Sequence, residues 1–491
     1  MAATTASPSF LATRRGKATL ALLCAIAFLD FIDASIVNIA LPDIRKDLHF
    51  SVQDLQWVLS GYLLTYGGFM LLGGRAGDLL GRRRVLVTGT AVFAVSSLVG
   101  GFAGDAGVLV GARLAQGLGA AMMLPAALSL LTTMFKEGKD RYTALGVWGG
   151  VAGLASAAGV FLGGVLTEGP GWRWVLFVNP PIAAVLLGVI FVLIPGERRR
   201  ARLANFDILG TALVTAAMLL LVFALVKAPD QGWGSGRTIG ELVGAGVLLA
   251  AFVVNEQRSR NPLVPLSTFR IRGLGAADVT MLIAAAGIIS MFFFLTLYMQ
   301  NVLGYSPLKT GASYLPFTAG VAVAAGISSQ LMAKIGTRPL IVVGAVVGAG
   351  GLYYLSRISV DGSYMTDLFP GMMITSVGLG ALFVAVTTAA NAGVPADKAG
   401  LAAALLNSSQ QVGGALGLAI FSAIATARSN HLFAAHASAP HALTAGFHRA
   451  LLAECFFVIA VALIGLRTRN SRGEQPQEPD AETAPEPVVV A

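Results

Sequence analysis

Fourteen apolar runs, each long enough to cross a bilayer, divide this chain of 491 residues into greasy stretches and short polar connections. A bilayer core offers the backbone no water. Its N–H and C=O groups must therefore pair within the crossing segment, and an α-helix of ~20 apolar residues does this. The runs lie near 18–41, 54–74, 84–104, 108–134, 142–166, 174–194, 207–226, 238–254, 274–300, 311–333, 339–357, 366–390, 400–427 and 447–466. Charged residues make up 12% of the chain, about half of what a soluble domain carries. The sequence therefore describes an all-α membrane protein, and the 59 glycines suit helices that approach closely in lipid.

Charge sets the orientation. Of 34 Lys and Arg residues, 24 fall in the connections on the side of the N-terminus. Nine fall on the other side (Arg45, Lys46, Arg173, Lys227, Arg237, Lys309, Arg357, Arg428 and Arg449), and Arg113 lies within a run. The positive-inside rule then places both termini in the cytoplasm of a cell whose plasma (inner) membrane holds the protein. The net charge of +9 comes from these scattered clusters. They read as topology signals, so no nucleic acid partner is expected. Arg14, Arg15 and Lys17 precede an apolar run too long for a cleaved signal, which predicts a retained first span. Cys24 and Cys455 both sit in apolar runs and support neither a disulfide framework nor a metal site.

Spans 7 and 8 can be lifted out to leave six spans on either side. This predicts a cytoplasmic segment at 1–17, a six-helix bundle at 18–194, a linker with two extra transmembrane helices at 195–273, a second six-helix bundle at 274–467, and a disordered tail at 468–491, rich in Pro and Glu. The linker opens with the basic stretch PGERRRARLAN at 195–205. A weak internal repeat supports two halves. GRAGDLLGRRR (74–84) aligns with QLMAKIGTRPL (330–340), with Gly81 on Gly336, Arg83 on Arg338, and Ala333 where Asp78 stands.

The run at 20–42 carries two carboxylates in its middle, Asp30 and Asp33. A charge at the bilayer centre costs ~2.5–3.5 kcal/mol on insertion scales. Three residues apart, the two acids share a side of the helix and can face one partner or one cavity. The bland alternative is pairing within the bundle. Arg113 in span 4 needs an anion, a cavity or backbone carbonyls, and the acids of span 1 are its obvious partners. Gln116 and Gly117 follow it on the same face. A carboxylate between a desolvating interior and an arginine is suited to exchanging a proton, so Asp33, Asp30 and Arg113 are candidates for proton coupling.

The loop at 74–84 offers Gly74 and Gly81 for a tight turn and Asp78, Arg82 and Arg83 as a conformational gate on the cytoplasmic side. In span 5, Ala155, Gly159 and Gly163 recur every four residues, with Gly149, Gly153 and Gly164 alongside, a small-residue ridge for helix contact. Candidates to line a substrate cavity are Asn38, Gln116, Gln300, Asn301, Asn407, Gln411 and the membrane acid Glu454. Four histidines (His431, His436, His441, His448) precede the last span, and their spacing predicts a solvated outer loop. No nucleotide loop, metal spacing or catalytic triad pattern appears, so no enzyme is expected.

These motifs resemble those of the fourteen-span drug:proton antiporters of the major facilitator superfamily. IDASIVNIALP (32–42) resembles their first-span signature, with Asp33 at the membrane acid and Asp30 additional to it. The 74–83 loop, RLAQG (113–117) and WRWVLFVNPP (172–181) resemble further signatures of that group. The span-5 glycines do too, except that Val160 stands where a proline is usual. The resemblance covers 18–467. It implies two six-helix bundles plus two extra transmembrane helices around a central cavity. It implies export of lipophilic or cationic small molecules in exchange for protons, with the arginine of span 4 tied to proton transfer. The proton gradient would be the energy source with no cofactor, the bilayer and protons the other partners, and a monomer the expected state. An importer of a polar nutrient and a non-transporting sensor are the competing readings. The span-1 and span-5 signatures count against the first, and the lack of an attached soluble domain counts against the second.

Overall fold

The structure, a computed structural model, describes residues 10–472 apart from 52, 136–138, 197–206, 260, 261, 266, 269, 270, 272, 393, 395–398 and 469. Most of the basic stretch at 195–205 and most of the tail lie outside the described residues. Among them, fourteen helical stretches are long and apolar enough to cross a membrane. The helices are α1 (Arg14–Asp47), α2 (Trp57–Leu80), α3 (Arg82–Gly101), α4 (Ala106–Met134), α5 (Lys139–Glu168), α6 (Trp174–Phe177), α7 (Asn179–Leu193), α8 (Ile208–Gln231), α9 (Gly236–Arg258), α10 (Leu274–Asn301), α11 (Pro307–Ser313), α12 (Leu315–Ile335), α13 (Thr337–Leu355), α14 (Phe369–Asn391), α15 (Ala399–Ala434) and α16 (Ala439–Gly465). α6 with α7, and α11 with α12, each make one crossing. Local chemistry starts several of them. Thr13, Asp105, Asp207, Ser235 and Ser306 turn their side-chain oxygens onto the first free N–H groups. Proline stands in the first turn of α7, α11, α12 and α16, where no N–H is needed.

Several helices outrun their apolar runs. α1 continues through Arg45 and Lys46 to Asp47, and α15 continues to Ala434. The expected histidine loop is therefore corrected. His431 ends α15, His441 and His448 lie on α16, and only 435–438 connect the two. Polar residues extend a membrane helix past the hydrocarbon because its backbone pairing does not depend on side-chain type. The 74–84 loop shrinks likewise. Gly81 alone joins α2 to α3, at φ 101°, and Gly336 alone joins α12 to α13, at φ 84°. Both angles favour a residue without a side chain. Gly74 and Asp78 belong to α2.

The repeat is visible in packing. Arg83 donates to the Phe191 carbonyl at the end of α7 (3.3 Å), and its counterpart Arg338 donates to the Thr468 carbonyl just beyond α16 (3.1 and 2.8 Å). Each arginine thus caps the last crossing of its own set of helices, where carbonyls lack partners. α1–α7 and α10–α16 form the two sets, and α8 packs on α2 and α15, one helix from each. The connector behind α9 is also placed between the sets. Glu256 accepts from the N–H groups of Leu263 (3.3 Å) and Val264 (2.8 Å). Those two residues pack with Leu405, Leu71, Leu72 and Leu401.

The sets close on each other at one end. Call the end holding Arg14 and Gly465 the terminal face, and the opposite end the far face. Near the far face Asn38 donates to the Phe292 carbonyl (3.2 Å) and Thr296 (3.0 Å), Gln300 donates to the Ile39 carbonyl (2.9 Å), and Glu168 accepts from the Leu308 N–H (2.9 Å). One apolar cluster runs from the far half of α1 through α10, α13, α14 and α16. Along α5 and α12 the surfaces are open: Gly149 and Gly153 have free space beside them, Leu154 is 64% exposed, and Val323 and Ile327 are 62% and 61% exposed. The polar bonds from α1 and α5 to the second set lie at the far face.

Candidate proton and substrate site

α1 delivers Asp30 and Asp33 about one turn apart, both within 1% of full burial. They do not share a partner, which corrects the expectation from their spacing. Asp33 turns toward α4 and α7. Its Oδ2 lies 2.6 Å from an Arg113 nitrogen. Its Oδ1 accepts from Gln116 Nε2 (2.8 Å) and Asn179 Nδ2 (2.6 Å). Arg113 also donates to Gln116 Oε1 (2.7 Å) and, through Nε, to the Val58 carbonyl of α2 (3.0 Å). Its guanidinium carbon lies 4.3 Å from the centre of the Tyr62 ring. Asp30 turns toward α2. It accepts from the hydroxyls of Tyr62 (2.8 Å) and Tyr66 (2.9 Å). Tyr62 therefore touches Asp30 through its hydroxyl and Arg113 through its ring, and stands between the two clusters. Tyr66 in turn lies beside Gln411 of α15, in the second set.

The arrangement follows from local structure. Asp33 and Arg113 meet because α1 and α4 pack together. Asn179 reaches the acid from the first turn of α7 and is held there by Ser97 Oγ (3.0 Å), which itself donates to the Leu176 carbonyl (2.9 Å). A buried ion pair is tolerable only when its remaining donors and acceptors are matched. Here one atom, Arg113 Nη2, has no partner. Sequence reasoning missed Asn179, Tyr62, Tyr66 and Ser97. The signals were present: an amide before two prolines in an apolar run, and two tyrosines four apart on the helix following the acids.

The other expected residues are distributed differently. Asn38 and Gln300 close the far face and do not line an open cavity. Gln116 belongs to the acid cluster. Glu454 is fully buried on α16, which packs on α10, α13 and α15, so it lies inside the second set, with neither oxygen partnered. Asn301 ends α10 at the far face, and Asn407 donates to its own helix at Ala403 (2.9 Å). Gln411 alone of these faces the first set beside the acids. A further buried acid, Asp278 near the start of α10, was not anticipated and has no partner on either oxygen.

The expected gate residues split. Asp78 is exposed and meets Arg82 across Gly81 (3.3 Å), within one set. Arg83 also works within one set. Gly74 makes no close approach, since a side chain there would meet only Pro125 at 3.8 Å. Of the span-5 ridge, Gly159 and Gly163 lie against α1, while Gly149 and Gly153 face open space. Ala155 is fully buried, and a side chain on Gly159 or Gly163 would strike Ser35, Ile32 or Ile36 of α1 within 3.0 Å. Gly164 faces the other way, onto Leu308 of the second set at 2.7 Å. Small residues there allow backbone-close packing, and shape holds the two sets together at the far face.

Residues 23–418 match the family model described as Major Facilitator Superfamily. The chain is 38% identical over 449 residues to the puromycin resistance protein pur8 of Streptomyces alboniger, covering 91% of this chain and 89% of that protein. It is 35% identical over 455 residues to the cephamycin export protein CmcT of Amycolatopsis lactamdurans, covering 92% of each. A crystal structure of a bacterial homologue of the human lysosomal transporter Spinster, inward-facing and occupied, superimposes with TM-score 0.67 at 15% identity, over 92% of this chain and 97% of that one.

Proposed function

The chain belongs to the Major Facilitator Superfamily, a multi-pass membrane family, and we propose that it exports lipophilic or cationic antibiotic-like compounds, exchanging them for protons by alternating access. The observation that carries this reading is the Asp33–Arg113 pair. It joins α1, α4 and α7, and through Val58 it holds the far end of α2, the helix that packs against α15. The relatives named for puromycin resistance and cephamycin export support the substrate class.

The geometry supports the following cycle. With Asp33 ionised and paired, Arg113 keeps Val58 and the far end of α2 in place within the first set, the far-face contacts between the sets stay made, and the terminal face admits cargo from the cytoplasm or inner leaflet. The distribution of basic residues supports placing both termini in the cytoplasm. Gln411 and the Asp30–tyrosine cluster stand at the seam, where bound cargo meets both sets. Rocking breaks the Asn38, Gln300 and Glu168 contacts and opens the far face. A proton taken up by Asp33 there removes the charge that holds Arg113. The arginine then withdraws from Val58, cargo leaves, and the protonated protein returns to face the cytoplasm, where Asp33 gives up its proton, pairs with Arg113 again and readmits cargo. The proton gradient drives the cycle and no cofactor takes part. One chain holds every group named, so a monomer suffices.

The test uses everted membrane vesicles from cells expressing the protein. A pH gradient, acid inside, should drive accumulation of puromycin or a related compound. Collapsing the gradient with a protonophore should release it. Accumulation that ignores the gradient would exclude the exchange.

A further inference from the structure

A cavity of ≈ 560 Å³ opens at the far face between the α8–α9 turn and the ends of α15 and α16. That volume falls within the range of small-molecule sites, ~300–1,000 Å³. It is lined by Trp233, Ile424, Arg428, His431 and Arg449, with Ala423 and Ala427 completing an apolar floor. None of these residues belongs to the transport cluster described above.

The arginines are the unexplained feature. The far face is poor in cations, and most of those present are matched. Lys46 meets Asp43, Arg173 meets Asp47, Lys227 meets Asp54, and Arg237 meets Glu241. Lys309 and Arg357 lie over the rings of Tyr305 and Tyr353. Arg428 and Arg449 have neither a carboxylate nor a ring among the described residues, yet they share one cavity with His431. Two guanidinium groups that face one space without an acid call for an anion from outside the chain, and the fork geometry of arginine suits phosphate oxygens.

The surroundings select which anion. Trp233, half exposed in the turn between two crossings, is the residue type that settles at headgroup depth. On the following helix α9 presents Ile239, Val243 and Val247 outward, each half exposed or more. A ligand in this cavity therefore meets cations at its head and apolar surface below. We propose that the cavity binds an anionic phospholipid, its phosphate between Arg428 and Arg449 and its chains along the apolar floor. Such a lipid ties the inserted α8–α9 pair to the second set of helices. The site is independent of proton exchange and would stand if that reading failed.

Native mass spectrometry of the full chain in mixed micelles tests it, with phosphatidylglycerol as probe, phosphatidylcholine, whose choline cation cancels its phosphate charge, as the net-neutral control, and inorganic phosphate as competitor. Phosphatidylglycerol should be retained where phosphatidylcholine is not. The Arg428→Gln/Arg449→Gln double variant should need roughly thirtyfold more phosphatidylglycerol, as expected for two arginines at an anionic surface. The Arg428→Lys/Arg449→Lys variant keeps the charge but loses the fork, so it should bind more weakly than the wild type and more tightly than the double glutamine variant, and Arg237→Gln should bind as the wild type does. If the double glutamine variant fails to fold, each single glutamine variant should weaken binding about fivefold. Equal retention of the two lipids, or glutamine variants that bind as the wild type does, overturns the proposal. Displacement of the lipid by millimolar inorganic phosphate also overturns it, and makes the cavity a site for a free anion.

Discussion

Asp30 and Asp33 are the same residue type on the same helix, about one turn apart and equally buried, yet their surroundings differ in kind. Asp33 faces a guanidinium and two amides. Asp30 faces two phenol hydroxyls and no cation in hydrogen-bond contact. In a low dielectric, a charge is stable only beside an opposite charge with its other atoms matched. Asp33 is thus built around an arginine whose other bond holds α2. Asp30 is built around neutral donors, one of which stands at the seam with the second set. In the proposed exchange, this difference makes Asp33 the group that takes the proton and Asp30 the one beside the cargo, a division the variants below are chosen to break.

The largest effect should come from Asp33→Asn. It strands Arg113 in the interior, and removing one partner of a buried pair costs about 3–5 kcal/mol. Gradient-driven export in everted vesicles should fall to background, and the thermal unfolding midpoint should drop. Arg113→Lys should follow. A lysine cannot supply both the Asp33 and Val58 bonds in a fixed plane, and losing one charged hydrogen bond costs about 1.5–3 kcal/mol. Export should decline by tenfold or more while the protein still inserts. Asp30→Asn should be milder, because an amide oxygen can still accept from both tyrosines. Export should persist at a reduced rate, read in the same vesicles. If it falls as far as Asp33→Asn, the division of roles between the acids is wrong. Smallest is Gln300→Ala, which removes one neutral bond across the far face, worth about 1 kcal/mol. Spin-label distances between α1 and α10 at the far face should shift toward the open population about fivefold, with the acid cluster unchanged.

Much of this was legible in the chain. The length and number of apolar runs dictate the crossings, because lipid leaves the backbone one economical solution. The pairing of Arg113 with an acid of span 1 followed from the cost of each alone, but the choice of Asp33 over Asp30 did not. The Gly81 and Gly336 turns and the Arg83 and Arg338 caps were visible as a repeat, though not as ties within each set. The facing of side chains was not legible. Asn38, Gln300 and Glu454 are all polar residues in apolar runs, and composition treats them alike. Only the packing of α1 on α10, and of α16 inside the second set, separates two far-face clips from an acid remote from the seam. Asn179 was hidden for the same reason, since its run reads as a membrane anchor until α7 is placed beside α1 and α3.

The central claim is that cargo and proton compete through Asp33. Proton release on cargo binding, followed with a pH-indicator dye in weakly buffered detergent solution, tests it most directly. Puromycin, or whichever antibiotic the vesicles accumulate, should displace protons from the wild-type protein and none from Asp33→Asn. Equal proton release from both, or cargo binding to the wild type with no release at any pH between 5 and 9, would contradict it.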